Sequence, residues 1–238
     1  LSDVQVYVIP HWAVFDPAWV PGLTDWVKRG GILILGARTA TKDMNNHVVA
    51  MTPPGVLTPL AGITVEEYGK QNAPAARPIR AVFSTGQCPA QHWYEVLHPI
   101  EGETIEVLAT WQGRHLEGLP AVTLHPVGQG MVVYAGSYLT PEFIDHVFHQ
   151  VEQRRAVPRL WPFAPKGVQV TCRKNAQKEI WFFINTLDTS AEIERLPEGG
   201  FDLIANQPAG QGPLTLAANA VAVIQTGPVP APVNSSRI

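Results

Sequence analysis

Two groups of acids, one cysteine and one acid-and-histidine trio hold the residue types from which catalytic or metal chemistry is made. The carboxylate groups are Glu66-Glu67 and Glu101, Glu103 and Glu106. Hydrolysis by a carboxylate pair needs the two acids on either side of one bond, about 5 Å apart when configuration is retained. Neighbouring residues of a strand point to opposite faces, so Glu66 and Glu67 cannot flank one bond. The second group follows a Pro99-Ile-Glu-Gly102 turn and reads as solvated charge at a strand edge. Cys88, in Gly86-Gln-Cys-Pro-Ala90, follows a short strand and precedes a candidate helix, the position of a nucleophile elbow. The strained turn of an elbow needs a second glycine, and here Ala90 stands at that place, with Pro89 directly after the thiol. Cys88 therefore reads as a loop cysteine. Glu142, His146 and His149 are spaced to meet on one helix, but a metal would need a further ligand and an outer shell. A polar helix face is the plainer reading. Gly128-x-Gly130 lacks the third glycine and opens a strand rather than a helix, so it fails the dinucleotide fingerprint and reads as a turn. No catalytic, cofactor-binding or metal-binding residue is therefore expected. His47, His92, His98, His115 and His125 are scattered, and the sequon at Asn234 comes without a secretion signal.

The elements that carry these residues read as two domains. A chain of 238 residues can bury one large core or two modest ones. Hydrophobic residues make up 45% and charged residues only 16%, which favours large buried surfaces, some of them between subunits. The net charge of -3, without a basic patch, gives nucleic acid no electrostatic purchase. Cys88 and Cys172 stand far apart in sequence and in no C-x-x-C pattern, which argues against a disulfide framework or a zinc site. No stretch approaches the roughly 20 apolar residues of a membrane helix. The opening residues lack a signal peptide and enter a strand at once without an initiator Met. The expectation is a cytoplasmic chain cut from a longer protein.

Val4 to Ile9 and Gly31 to Leu35 read as buried strands. Between them Asp16-Pro17 caps a helical run with Trp19, Leu23, Trp26 and Val27 on one face, which Gly30-Gly31 ends. Pro21 means that the regular helix starts only there. Strand, helix, strand is a βαβ unit and predicts a parallel sheet. A polar loop then reaches Asn46, a Pro-Pro-Gly turn ends at Gly55, and Leu57 to Gly62 forms a short helix. Val82 to Thr85 and Ile105 to Thr110 are strands, and Ala121 to Leu124 with Met131 to Ala135 make a hairpin. Thr140-Pro141 caps a helix with Phe143, Val147 and Val151 on one face. The expected fold class is α/β: a flavodoxin-like domain over 1–157, then a small antiparallel β-domain over 158–226 and a disordered tail over 227–238. Trp161 and Phe163, set among Pro158, Pro162 and Pro165, read as a linker docked on something apolar. In the β-domain, Val168, Val170 and Cys172 alternate with polar residues, and Ile180, Phe182 and Ile184 share a face. Among the tryptophans, Trp19 and Trp26 read as core or interface, while the loop residues Trp12 and Trp93 are open to sugar stacking.

The motifs resemble the middle and C-terminal portion of the family 42 glycoside hydrolases, the bacterial β-galactosidases. Gly36-Ala-Arg38-Thr-Ala40 and Asp43-Met-Asn45-Asn46 are similar to the family's Thr-x-Arg-Ser-Gly turn and Asp-x-Asn-Asn segment, with Thr39-Ala40 where the family has Ser-Gly. Pro54-Gly55, Leu57, Leu60-Ala-Gly62 and Val65-Glu66-Glu67 follow in order. Gly118-Leu-Pro120-Ala-Val-Thr123, then Gly128-Gln-Gly130 with Tyr134 and Gly136, is similar to the family's Gly-x-Pro-Ala-Val-Thr region. Gly167 to Arg173 and Phe182 to Asn185 resemble its terminal β-domain.

The resemblance implies a parent enzyme that cleaves terminal β-galactosides with retention, using two glutamates on an (α/β)8 barrel. Such a barrel takes roughly 250 residues, so it is expected before Leu1. The middle domain of the family assembles a homotrimer. The expectation is thus a non-catalytic assembly fragment that meets galactosides only through its parent. Two alternatives stand beside it: a thiol enzyme like the class I glutamine amidotransferases, which share the flavodoxin-like sheet and whose elbow reads Gly-x-Cys-x-Gly, and a carbohydrate-binding module using exposed tryptophans.

Overall fold

The computed structural model describes residues 4–71, 78–210 and 212–228, in two units, Leu1–Val157 and Pro158–Ile238. In chain order the first runs β1 (Val6–Ile9), α1 (Val20–Lys28), β2 (Ile32–Gly36), the one-turn α2 (Thr58–Ala61), β3 (Ile63–Gln71), β4 (Arg80–Phe83), β5 (Gly86–Pro89), β6 (His92–Pro99), β7 (Glu106–Gln112), β8 (Pro120–Val127), β9 (Gly130–Ala135) and α3 (Pro141–Glu152). Seven strands form one sheet in the order β1-β2-β9-β8-β7-β4-β5. Only β1, β2 and β9 pair in parallel; every other pair is antiparallel, where a parallel sheet was expected. The cause is local. The β8–β9 link is two residues long, and a connection that short can join only antiparallel neighbours. Beside this sheet β3 and β6 make an antiparallel ribbon, with a bulge between Val65 and Glu67.

The central strands are buried on both faces, so their sequences read as unbroken apolar runs. Alternation then divides them between two cores. Ile32, Ile34, Met131 and Val133 join Phe143, Val147 and Val151 of α3. Leu33, Leu35, Val132 and Tyr134 join Leu23, Trp26 and Val27 of α1 and Leu60 of α2. The helix starts follow their caps. Asp16 accepts from Ala18 N–H at 2.9 Å and opens a 3-10 turn over Pro17–Trp19, and Pro21 falls in the first turn of α1. The Thr140 hydroxyl accepts from Phe143 N–H at 3.2 Å at the start of α3. No helix among the described residues is long and apolar enough to cross a membrane.

The second unit adds β10 (Val168–Lys174), β11 (Glu179–Asn185), β12 (Ala191–Ile193), β13 (Phe201–Asp202), β14 (Gln207–Pro208), β15 (Leu214–Leu216) and β16 (Val221–Thr226). Five of them form an antiparallel sheet, β10-β11-β16-β13-β14, and β12 pairs with β15. The fully buried face of β11 is not Ile180, Phe182 and Ile184, which are half-buried, but the alternate set Trp181, Phe183 and Asn185. Trp161 decides this by packing edge-on against Trp181 and Phe183, with ring centroids 5.1 and 5.9 Å away. Asn185 is satisfied inside, its amide donating to the Thr189 and Ala217 carbonyls, each at 2.8 Å. Of the segment read as a tail, residues 229–238 lie outside the described residues.

The β8–β9 turn shows where glycine is obligatory. A Cβ on Gly130 would lie 2.0 Å from the Val27 carbonyl oxygen, whereas one on Gly118 would meet nothing within 4 Å, although its φ is +80°. Gly130→Ala should therefore cost about 3 kcal/mol or more, since backbone must move, and Gly118→Ala only the left-handed penalty of about 1–2 kcal/mol. Urea unfolding of both variants measures the difference; equal losses would contradict the packing argument.

Candidate functional site

The carboxyl ends of β2 and β9 lie side by side, where α/β sheets gather their functional groups. β2 stops at Gly36, whose Cβ would come within 1.9 Å of the Pro10 carbonyl oxygen. The chain then turns through Arg38 and Ala40, both left-handed at φ 64° and 58°, and the Thr39 hydroxyl donates to Gly36 O at 2.7 Å. Into this turn β6 sends Glu95, which is 2% exposed. One carboxylate oxygen accepts from the backbone N–H of Arg38 at 2.9 Å and from Trp93 Nε1–H at 3.0 Å. The other accepts from the Tyr134 hydroxyl at 2.9 Å. The backbone of Glu95 is used as well: its carbonyl accepts from Trp111 Nε1–H at 2.8 Å, and its N–H donates to Gly136 O at 2.7 Å.

Burial pushes the Glu95 carboxyl above its usual range, while Trp93, Tyr134 and Arg38 oppose the shift. Tyr134 is held well above the ordinary phenol range, by burial first and then by the Glu95 charge, so it remains a donor. Trp93 is gripped on more than its edge. Its ring stacks on Tyr68 at 5.0 Å, and the Arg38 guanidinium lies 4.7 Å from its centroid. Arg38, Thr41, Met51, Tyr68, Trp93 and Glu95 line much of a cavity of about 270 Å³. A second, apolar cleft of about 470 Å³ lies between β1 and α1, with Trp12 and Trp19 packed on each other at 5.1 Å along it.

The residues singled out for chemistry are placed elsewhere. Glu67 binds His115 Nε2 at 2.5 Å, Glu103 approaches His125 Nε2 at 3.3 Å, and Glu106 takes the Arg154 Nε–H at 2.9 Å. The Arg154 hydrogen bond holds Glu106 below the usual carboxylate range. Glu66 is exposed beside the bulge of β3. Cys88 is not on an elbow: it lies within β5, paired with Ala81 of β4, and no helix follows it. It is 1% exposed, and burial, then the Glu142 charge, pushes its thiol up to about 12. A thiol so protonated is not a nucleophile. His146 contacts the Thr85 hydroxyl at 3.0 Å and stacks on Phe83 at 5.0 Å, which commits it to packing. No group of three or more His, Cys, Asp or Glu side chains able to hold a metal ion occurs among the described residues. Of the two tryptophans read as core or interface, Trp26 is buried in the core and Trp19 is 40% exposed, and both line the cleft between β1 and α1.

The site around Glu95 escaped the sequence reading, although a signal was there. A lone acid in the apolar run Tyr94-Glu-Val-Leu97 has to be buried with partners, because an unpaired carboxylate inside a sheet is too costly to keep.

The sequence profile described as "Beta-galactosidase trimerisation domain" matches residues 1–158, and that described as "Beta-galactosidase C-terminal domain" matches 167–226. Beta-galactosidase BglY of Alicyclobacillus acidocaldarius is 27% identical over 231 residues, 94% of this chain and 33% of the relative. Beta-galactosidase LacZ of Heyndrickxia coagulans is 29% identical over 176 residues, 74% of this chain and 25% of the relative. Among solved structures, the polyextremophilic beta-galactosidase of Halorubrum lacusprofundi superimposes with a TM-score of 0.71 at 26% identity, over 96% of this chain and 32% of that one. The beta-galactosidase of Bacillus circulans sp. alkalophilus shares the fold with a TM-score of 0.80 at 21% identity, over 95% of this chain and 33% of that one. The chain thus spans a quarter to a third of the length of these relatives.

Two outcomes follow from this geometry. Glu95 has a raised pKa in the folded state, so the stability it contributes is present at low pH and is lost as pH rises through that folded value. Glu95→Gln keeps an acceptor for Arg38 and Trp93 but cannot ionise. The stability difference between wild type and Glu95→Gln should therefore shift against wild type on going from acidic to neutral pH, by at most about 1.4 kcal/mol per pH unit. Glu95→Leu strands the three donors and should cost at least about 3 kcal/mol at either end. Urea titrations across pH read both effects; a flat difference for Glu95→Gln would contradict the burial argument. For the thiols, iodoacetamide near neutral pH should label the half-buried Cys172 before Cys88, read by peptide mass spectrometry. Rapid modification of Cys88 in the folded protein would revive a thiol-enzyme reading.

Proposed function

Because the chain belongs to the family 42 β-galactosidases, through their trimerisation and C-terminal domains, we propose that it is the non-catalytic, subunit-assembling portion of such an enzyme. The observation that carries this reading is the order of the two matched domains, over residues 1–158 and 167–226. Cleavage of terminal β-galactosides with retention then belongs to two glutamates on an (α/β)8 barrel, within the two thirds or more of the relatives' length that lies outside this chain. The acids present here fit that division, since Glu67, Glu103 and Glu106 are each engaged by a histidine or an arginine.

In this reading residues 1–157 form the trimerisation domain. We take its core as a flavodoxin-like arrangement, supported by the parallel β1, β2 and β9 between α1 and α3. Residues 158–226 form the terminal β-domain. The partner is a second and third copy of the same protein, and galactosides reach the assembly only at the barrel. Two free cysteines fit a cytoplasmic setting.

Light scattering over a dilution series tests the assembly role. The expected outcome is a persistent mass near three times the 26.0 kDa of the chain, with no hydrolysis of nitrophenyl β-galactoside. A monomer at every concentration, or galactosidase activity from this chain, would overturn the reading.

A further inference from the structure

The cleft between β1 and α1 is walled by one stripe of the helix and its caps. Trp19, Gly22, Leu23, Trp26 and Arg29 recur at the i, i+3, i+4, i+7 and i+10 spacing that puts side chains on a single helical face. At 1.5 Å per residue the stripe runs about 15 Å from Trp19 to Arg29. Tyr7 and Ile9, alternate residues of β1, form the facing wall. The rings are fixed before anything binds. Trp26 donates from Nε1 to Val4 O at 3.0 Å and meets Tyr7 edge-on at 6.4 Å, and Trp19 packs on Phe15 at 5.4 Å. A concavity of about 470 Å³ with preformed apolar walls has the size and character of a small-molecule site.

Gly22 keeps this space open. Glycine is a poor residue for a helix interior, and no steric need explains it here. A Cβ at this position would meet nothing within 4 Å, so a side chain could be added without displacing a neighbour. The room it would take is part of the cleft. Arg29 closes one end. It alone among the lining residues is charged, and among the described residues no carboxylate forms an ion pair with it. Aromatic rings at one end and an unanswered guanidinium at the other give the cleft a direction.

We propose that the cleft binds a small amphipathic anion, its apolar chain over Gly22 between the Tyr7 and Trp19 walls and its carboxylate at Arg29. Burial of the chain supplies the affinity, and the guanidinium sets the direction, since an exposed charge pair adds little on its own. A sugar suits this lining poorly, because its hydroxyls need several polar partners and the Trp26 N–H is already used. A neutral apolar molecule would leave the guanidinium without a counterpart. The stripe is one helix wide and takes one chain, so the occupant is a free molecule and not a lipid surface. Such binding stands apart from galactoside cleavage and does not depend on how subunits assemble.

Isothermal titration calorimetry of the full chain with decanoate, below its micelle concentration, tests the site, with decanol as the neutral counterpart and octanoate as the shorter chain. Decanoate should saturate at one site per chain. Octanoate should bind on the order of tenfold more weakly, at about fourfold for each methylene lost. Gly22→Leu fills the cleft without a clash at its root and should abolish binding, with far-UV circular dichroism unchanged and the urea midpoint at or above the wild-type value. Arg29→Gln should weaken decanoate about threefold to fivefold and leave decanol unchanged. Decanoate binding that survives Gly22→Leu, or no saturable heat up to millimolar decanoate, would overturn the site. Decanoate binding untouched by Arg29→Gln and equal to that of decanol would overturn the anionic ligand. A fall in molar mass on Gly22→Leu would show that another copy of the chain covers the cleft, and would overturn the proposal as well.

Discussion

A single buried carboxylate holds the first unit together. Removing Glu95 from water is worth several kcal/mol of penalty unless donors replace the lost hydration. Here three donors do so, and they come from three places: the turn after β2, β9, and β6 itself. With the backbone bonds to Trp111 and Gly136, one residue connects the β3–β6 ribbon to both halves of the main sheet. The Arg38 turn and the edge of the Trp93 indole both donate to that one group, and Tyr134, kept protonated chiefly by its own burial, donates to it as well. A network of this kind favours a single arrangement, because each donor displaced leaves a buried group unpaired.

How much of this was legible depended on whether the deciding contact was local. β2, β9, α1 and α3 announce themselves through apolar runs, period and caps, because burial on both faces and the Asp16 and Thr140 bonds are written within a few residues. Glu66 and Glu67 were read as neighbours in a strand, as β3 has them, but the pairing of β3 with β6 was illegible. Val65-Glu-Glu-Tyr-Gly-Lys70 mixes charge and glycine, and its pairing partner lies across a long stretch of chain, from Ile63 to Pro99. Cys88 was misplaced for the same reason: its strand is defined by pairing with Ala81, not by its own sequence. On β11 alternation offers two sets, Ile-Phe-Ile and Trp-Phe-Asn, and hydrophobicity alone favours the wrong one. The choice was made by Trp161 and by the carbonyls that satisfy Asn185, neither of which pattern can see.

The same distinction separates the catalytic candidates from the residues whose contacts stay open. A residue type suited to chemistry matters only if the fold leaves it reactive, and Cys88, His146 and Glu106 are each consumed by packing or pairing. The residues with unused capacity are those whose contacts are incomplete: the Arg38 donors, and the outward faces of Tyr68, Met51 and Val48.

The one departure from the family's turn shows what that frame must preserve. Where the family's pattern has Ser-Gly, this chain has Thr39-Ala40, and the Thr39 hydroxyl bonds Gly36 O and closes the turn. Ala40 takes the left-handed conformation that glycine enters freely, which costs about 1 kcal/mol or more. Against this its methyl is buried, worth about 0.8 kcal/mol. The terms nearly cancel, so the substitution leaves the backbone path intact at little net cost. What that path delivers is the Arg38 N–H to Glu95 and the Arg38 side chain to the surface, and both survive the change.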